Sequence, residues 1–204
     1  KYSLTGEETR MTIEDGRTGG LSLGMWGVTS CHIQPAALTT NATMVVGMAI
    51  KFDAFNDNAT FLAFYDGTTL GMNLQLMSDG EVKVYRGTTQ LDVTSGLGLS
   101  IGTWYYVEFK VLCNNTTGTY ELRVDGVNVC DGTGADTQAG SNAYHTTFRV
   151  VRKIGTAANI QYVDDLYCLD GSGTLNTDFL GDKKVVTIRP NAAGDSAQFT
   201  PSAG

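Results

Sequence analysis

The sequence predicts an all-β fold, a two-sheet antiparallel jelly-roll sandwich, and three observations carry that expectation. Apolar and polar residues alternate at a period of two through most of the chain, as strands with one buried face require. Candidate strands recur at intervals of roughly ten residues between Gly-, Asp- and Asn-containing turns, the rhythm of sandwiches and barrels. No stretch keeps a helical period over three turns.

The elements follow in order. In 43–55, Met44, Val46, Met48, Ile50 and Phe52 share one face, while Val45, Gly47, Ala49, Lys51 and Asp53 take the other. A second strand over 60–65 ends at the turn Asp66-Gly67. Strands at 70–77 and 81–85 flank Ser78-Asp79-Gly80, a hairpin connection. In 104–113, Tyr105, Val107, Phe109 and Val111 face one way, and Tyr106, Glu108 and Lys110 the other. The chain returns through 120–124 to Asp125-Gly126, a strong short hairpin signal, and 127–130 completes a meander. A Gly/Ala/Asn-rich loop over 132–143 precedes strands at 146–151 and 159–169. The region before 43 is weakly patterned. The segment 178–190 reads as one last strand with a polar tail, and 200–204 as a linker. The expected division is a sandwich over 1–174 and a C-terminal segment over 175–204.

Composition narrows the function classes. With 204 residues and 42% hydrophobic content, the chain suits one large β domain that folds without staples. It carries 25 Gly and only 3 Pro, in keeping with many tight turns. Acidic residues number 21 against 14 basic ones, for a net charge of −7. No basic stripe is visible, which argues against nucleic acid as a partner. The acidic balance argues equally against an anionic membrane surface, and no apolar run is long enough to span a bilayer. The chain opens on Lys1 rather than Met, so it is expected to be a processed or trimmed piece. Cys31, Cys113, Cys130 and Cys168 form no CxxC pair, so a zinc or redox motif is not expected. Alternation places Cys113 and Cys168 beside apolar neighbours, the usual setting of buried free thiols, with disulfides left open.

Two sets of words carry a resemblance. Gly102-Thr-Trp-Tyr-Tyr-Val-Glu-Phe, then Tyr120-Glu-Leu-Arg-Val-Asp-Gly-Val, then Val163-Asp-Asp-Leu-Tyr resemble the concanavalin A-like lectin/glucanase superfamily, most of all its laminin G-like domains. The likeness covers about two-thirds of the chain. It implies a scaffold shared by lectins, glycan hydrolases, adhesion modules and virion proteins. The words Leu169-Asp-Gly-Ser-Gly, Asn176-Thr-Asp-Phe-Leu-Gly-Asp and Ile188-Arg-Pro-Asn resemble a C-terminal segment of tailed-bacteriophage structural proteins.

Catalysis finds little support. Family glucanases carry a Glu-x-Asp-x-(x)-Glu run that aims carboxylates into a cleft about 5 Å apart, and this chain has none. Glu7-Glu8 and Glu14-Asp15 read as solvated charge. His32 and His145 lack a nucleophile in any recognised triad context, and His145 reads as a strand-end residue. Asp164-Asp165, Asp170 and Asp178, or else Asp53, Asp57 and Asn58, supply carboxylates of the kind calcium takes. Their spacing matches no calcium loop, so no metal and no cofactor are expected. A glycan site would need an aromatic platform with polar groups nearby. Its candidates are Trp104, Tyr106, Tyr85 and Tyr144, with Trp26 behind them. The competing reading makes Trp104 and Tyr106 core anchors, because large aromatics are mostly buried.

The expected function is therefore that of a non-catalytic virion surface protein of a tailed bacteriophage, in a capsid decoration or a tail fibre. Its partners would be other virion proteins, with self-assembly into a homo-oligomer such as a trimer. The alternative is a carbohydrate-binding, lectin-like module that attaches to a host glycan.

Overall fold

Alternation of period two becomes fourteen strands in the computed structural model, which describes residues 2–5, 11–26, 31–36, 38–152, 160–172 and 174–184. The strands are β1 (Tyr2–Thr5), β2 (Met11–Asp15), β3 (Leu21–Met25), β4 (Cys31–Pro35), β5 (Thr43–Phe52), β6 (Ala59–Asp66) and β7 (Thr69–Leu76). After them come β8 (Val82–Arg86), β9 (Thr89–Val93), β10 (Tyr105–Leu112), β11 (Gly118–Val124), β12 (Val127–Ala135), β13 (Thr147–Arg152) and β14 (Gln161–Leu169). They pair antiparallel in two sheets of seven, ordered β1-β4-β13-β6-β7-β8-β9 and β12-β11-β10-β5-β14-β3-β2. The expected all-β, two-sheet sandwich is the observed one. No helix among the described residues is long and apolar enough to cross a membrane.

The core lies between the sheets and is filled by the face that alternation assigned. Met44, Val46, Met48, Ile50 and Phe52 of β5 enter it together with Val107, Phe109 and Val111 of β10. Phe64 of β6 stacks on Phe109 across the gap, with centroids 5.5 Å apart. Phe52 meets Phe61 edge-on at 5.7 Å. Burying one such ring stabilises the fold by about 1.5–3 kcal/mol, so each apolar row along β5, β6 and β10 outweighs any one surface contact.

The turns behave as their residues require. Asp125 and Gly126 take φ of 50° and 79°, and the type I′ turn they form sets Val124 opposite Val127. Around Ser78-Asp79-Gly80, the Met77 amide donates to the Glu81 carbonyl at 2.9 Å.

Three expectations need correction. The weakly patterned region before residue 43 contains β1 to β4, and β9 adds a strand that alternation missed. The meander's last strand runs on to Ala135. Residues 178–184 form no strand: the Leu180 and Gly181 amides bond to side chains on the second sheet rather than to a sheet edge. The rest of that expected strand, and Glu7-Glu8, lie outside the described residues. All four cysteines are free thiols.

Candidate functional site

The outer face of the second sheet carries the richest set of polar chemistry among the described residues. Along β10 the residues that turn away from the core are Tyr106, Glu108 and Lys110, and Trp104 precedes them in the same row. Successive members stand about 7 Å apart, twice the rise per residue of a strand. Tyr106 pairs across β5 with Ala49 and then Asp164 of β14, and Glu108 pairs with Gly47 and then Tyr167. Arg123 of β11 flanks Glu108 on the other side.

Gly47 makes the central rung possible. A Cβ there would sit 2.2 Å from Cε1 of Tyr167, so only a bare backbone lets that ring lie across β5. The Tyr167 hydroxyl thereby reaches Glu108 Oε1. A bulge in β14 between Asp164 and Tyr167 puts the tyrosine on this face. Asp165, at the bulge, takes φ of 50°, a conformation that Asp tolerates better than most residues.

Arg17, in the turn between β2 and β3, closes the cluster. Its guanidinium lies 5.2 Å from the Tyr106 ring centroid and 3.4 Å from Asp165 Oδ2, and its amide donates to Asp164 Oδ2 at 3.1 Å. The Tyr106 hydroxyl donates to the Asp165 carbonyl at 3.3 Å. Burial pushes the Tyr106 and Tyr167 phenols well above the ordinary tyrosine range, and the bond to Glu108 raises Tyr167 further. Both therefore stay protonated as donors. Glu108 is fully buried, yet its Oε2 has no hydrogen-bond partner.

One end of this face is an open aromatic platform. Lys51 Nζ lies 4.0 Å from the Tyr162 ring centroid and 5.1 Å from that of Trp104, and the two rings meet edge-on at 6.3 Å. The Tyr162 hydroxyl donates to Asp53 Oδ2 at 3.2 Å. The other end is covered by the chain itself. Residues 178–184 cross the strands, with Phe179 under Arg123 at 4.1 Å and Asp178 on Lys110 at 3.1 Å. Gly181 N donates to Glu108 Oε1 at 2.8 Å, and Asp182 pairs with Arg17.

The sequence-predicted residues divide accordingly. Trp104 and Tyr106 share this row, and neither belongs to the interior core: Trp104 is half-buried, while Tyr106 is buried beneath Arg17 and the crossing segment. Tyr85 lies on β8 of the other sheet and bonds to Gln90, so it cannot join them. Tyr144 sits in the loop before β13, and Trp26 is half-buried after β3. Sequence reasoning missed Lys51, Tyr162, Tyr167 and Arg17. A usable signal was Gly47, a glycine amid a strong strand pattern that marks close approach of another group.

The carboxylates weighed for calcium are spread over several partners. Asp170 caps the Ser172 amide, Asp57 accepts from the Ser78 amide, Asn58 accepts from Lys83, and Asp178 pairs with Lys110. No cluster of three His, Cys, Asp or Glu fit to hold a metal occurs among the described residues. Two clefts elsewhere have volumes of about 460 and 510 Å³, and each brings one carboxylate, Asp170 or Asp125, and no cation.

Known structures share this architecture. Domain 4 of AbnA, an extracellular arabinanase from Geobacillus stearothermophilus solved with arabinotriose, superposes with a TM-score of 0.59 at 17% identity, over 86% of this chain and 85% of that one. An endo-β-1,4-glucuronan lyase from the fungus Trichoderma reesei gives 0.57 at 12% identity, over 80% and 88%. A sialidase gives 0.56 at 12% identity over 80% of this chain, which spans only 17% of the sialidase. The likeness is one of fold. No protein-family model and no curated protein sequence matches the chain. What the shared sandwich supplies is a scaffold, and function has to be argued from the outer face of the second sheet.

Proposed function

We propose that this protein is a carbohydrate-binding module of the laminin G-like kind, and that its sugar surface is the outer face of the second sheet. The observation that carries the reading is the platform of Trp104 and Tyr162 around Lys51, continuous with the row Tyr106, Glu108 and Lys110. Flat apolar rings beside hydroxyl, carboxylate and ammonium groups are what a sugar with one apolar face and many hydroxyls recognises. Arabinotriose in the similar arabinanase domain adds support by analogy.

The reading is one of binding without turnover. Burial raises the Tyr106 and Tyr167 phenols, which favours them as hydrogen-bond donors over bases, and the carboxylate run of family glucanases is missing. Display on a tailed-phage particle, beside other virion proteins and as a homo-oligomer, remains part of the proposal. Its support is the C-terminal wording at 169–191 alone.

The experiment is a glycan screen followed by calorimetry on Trp104→Ala and Tyr162→Ala. Because Trp104 stands outside the interior core, the variant folds and loses about tenfold or more in affinity, equivalent to about 1.4 kcal/mol. Unchanged binding in both folded variants refutes the platform. Sustained cleavage of any bound glycan refutes the non-catalytic reading.

A further inference from the structure

We infer that residues 178–184 are a built-in occupant of this surface, and that the ligand they stand in for is an acidic, carboxylate-bearing glycan. The inference rests on the carbohydrate-binding reading above and names its ligand class and its control.

The segment runs across the strands rather than along them, the path that touches the most rows of the face. It starts on Arg123 and Lys110, passes over Glu108 and Tyr167, and ends at Arg17. Asp178 and Asp182 stand four residues apart, a backbone span of at most about 13 Å, with Gly181 turning the chain at a φ of 73° between them. One meets Lys110 Nζ at 3.1 Å, and the other meets the Arg17 guanidinium. Arg123 also pairs with Glu121 and Arg17 with Asp165 on the sheet itself, so it is Lys110 and Arg17, the two cations that reach out to the segment's carboxylates, that mark positions for an anionic ligand.

The middle of the segment fits less well. Leu180 N donates to the Tyr167 hydroxyl at 3.2 Å and Gly181 N to Glu108 Oε1 at 2.8 Å, but Glu108 Oε2 receives nothing. A buried carboxylate oxygen without a donor is an open position for a sugar hydroxyl. The hold is also light. The Asp178 and Asp182 side chains are 66% and 56% exposed, and ion pairs of that exposure shift an equilibrium by roughly a few-fold each. A ligand that offers the same carboxylates together with hydroxyls displaces such a segment.

The test measures oligogalacturonate and a neutral arabino-oligosaccharide binding to the wild-type chain and to Asp178→Asn/Asp182→Asn. Loosening both pairs is expected to tighten oligogalacturonate binding by about five- to thirtyfold and to leave unchanged the neutral sugar, which needs only the Trp104–Tyr162 end that the segment does not cover. Asp79→Asn/Asp136→Asn removes the same charge away from the face and is expected to change neither. Independently of any variant, saturating the wild-type chain with oligogalacturonate is expected to speed hydrogen exchange at the Leu180 and Gly181 amides. Neutral-sugar binding without oligogalacturonate binding overturns this inference and leaves the carbohydrate-binding reading standing. Equal affinities in the two Asp178/Asp182 forms, or amides still protected in the saturated complex, overturn it as well. Failure of both sugars to bind overturns this inference, and a glycan screen that finds no binder overturns the carbohydrate-binding reading as well.

Discussion

Gly47→Ala tests the central rung of the site most directly. The new methyl would lie 2.2 Å from Cε1 and 2.5 Å from Cζ of Tyr167, distances no real pair of carbons adopts. Either the ring leaves β5 or the strand shifts, and overpacking of this sort costs about 1–3 kcal/mol. If the ring leaves, Glu108 Oε1 loses the Tyr167 hydroxyl while staying buried, and a lost bond to a charged group adds about 1.5–3 kcal/mol. Alanine offsets about 0.5–1 kcal/mol through its smaller backbone entropy loss. The net expectation is a loss of about 2–5 kcal/mol, read as a lower urea midpoint at unchanged slope. Tyr167→Ala removes the obstacle, so adding Gly47→Ala to it should cost close to nothing. The double-mutant cycle therefore predicts a coupling equal to that whole cost, about 2–5 kcal/mol. If Gly47→Ala is as harmful without the tyrosine ring as with it, the ring is not what the glycine accommodates, and the reasoning fails.

Two further outcomes follow from buried groups. His145 is 1% exposed, and burial pulls its imidazole from 6.5 down to about 4, against the opposing influence of Asp66. The folded state then binds fewer protons than the unfolded one. Stability is complete above pH 6.5 and declines as pH falls toward 4, by about 3 kcal/mol, and urea midpoints for His145→Gln should lose most of that slope. Burial lifts the Cys113 thiol to about 11 and those of Cys130 and Cys168 to about 12. Iodoacetamide at pH 8 should leave these three unmodified in the folded chain and label them in urea, as intact mass will report.

How much of this was legible in the sequence depends on how strongly each strand's faces differ. β5 and β10 contrast a full apolar row with a polar one, so their registers and inner residues could be read directly. β2 and β3 run against the pattern: Ile13, on the edge strand β2, is 67% exposed, and Leu21, at the end of β3 that β14 does not reach, is 71% exposed, because strands so little covered bury too little to keep one face apolar. β9 likewise packs only Leu91 against the core. In the site, the row through Tyr106, Glu108 and Lys110 followed from alternation. Tyr167 did not, because strict alternation from Tyr162 and Asp164 sends it inward. The bulge at Asp165 restores it to the outer face and turns Leu166 and Cys168 toward the core. Arg17 and the crossing segment are distant in sequence from β10, and no local period announces a long-range contact.

Tyr106 ties these threads together. A tyrosine with no exposed surface that takes no part in the interior core needs a second cover, and Arg17 with residues 178–184 supplies it. Interior packing cannot be what this position serves, since Val107 and Phe109 already fill the inner side of the strand. A chain that only needed to seal the outer face would do so with apolar side chains, which incur no desolvation cost for Glu108, Asp165 and two phenols. Retaining those groups under a lid held by exposed ion pairs makes sense for a surface that is covered in one state and occupied by a polar ligand in another.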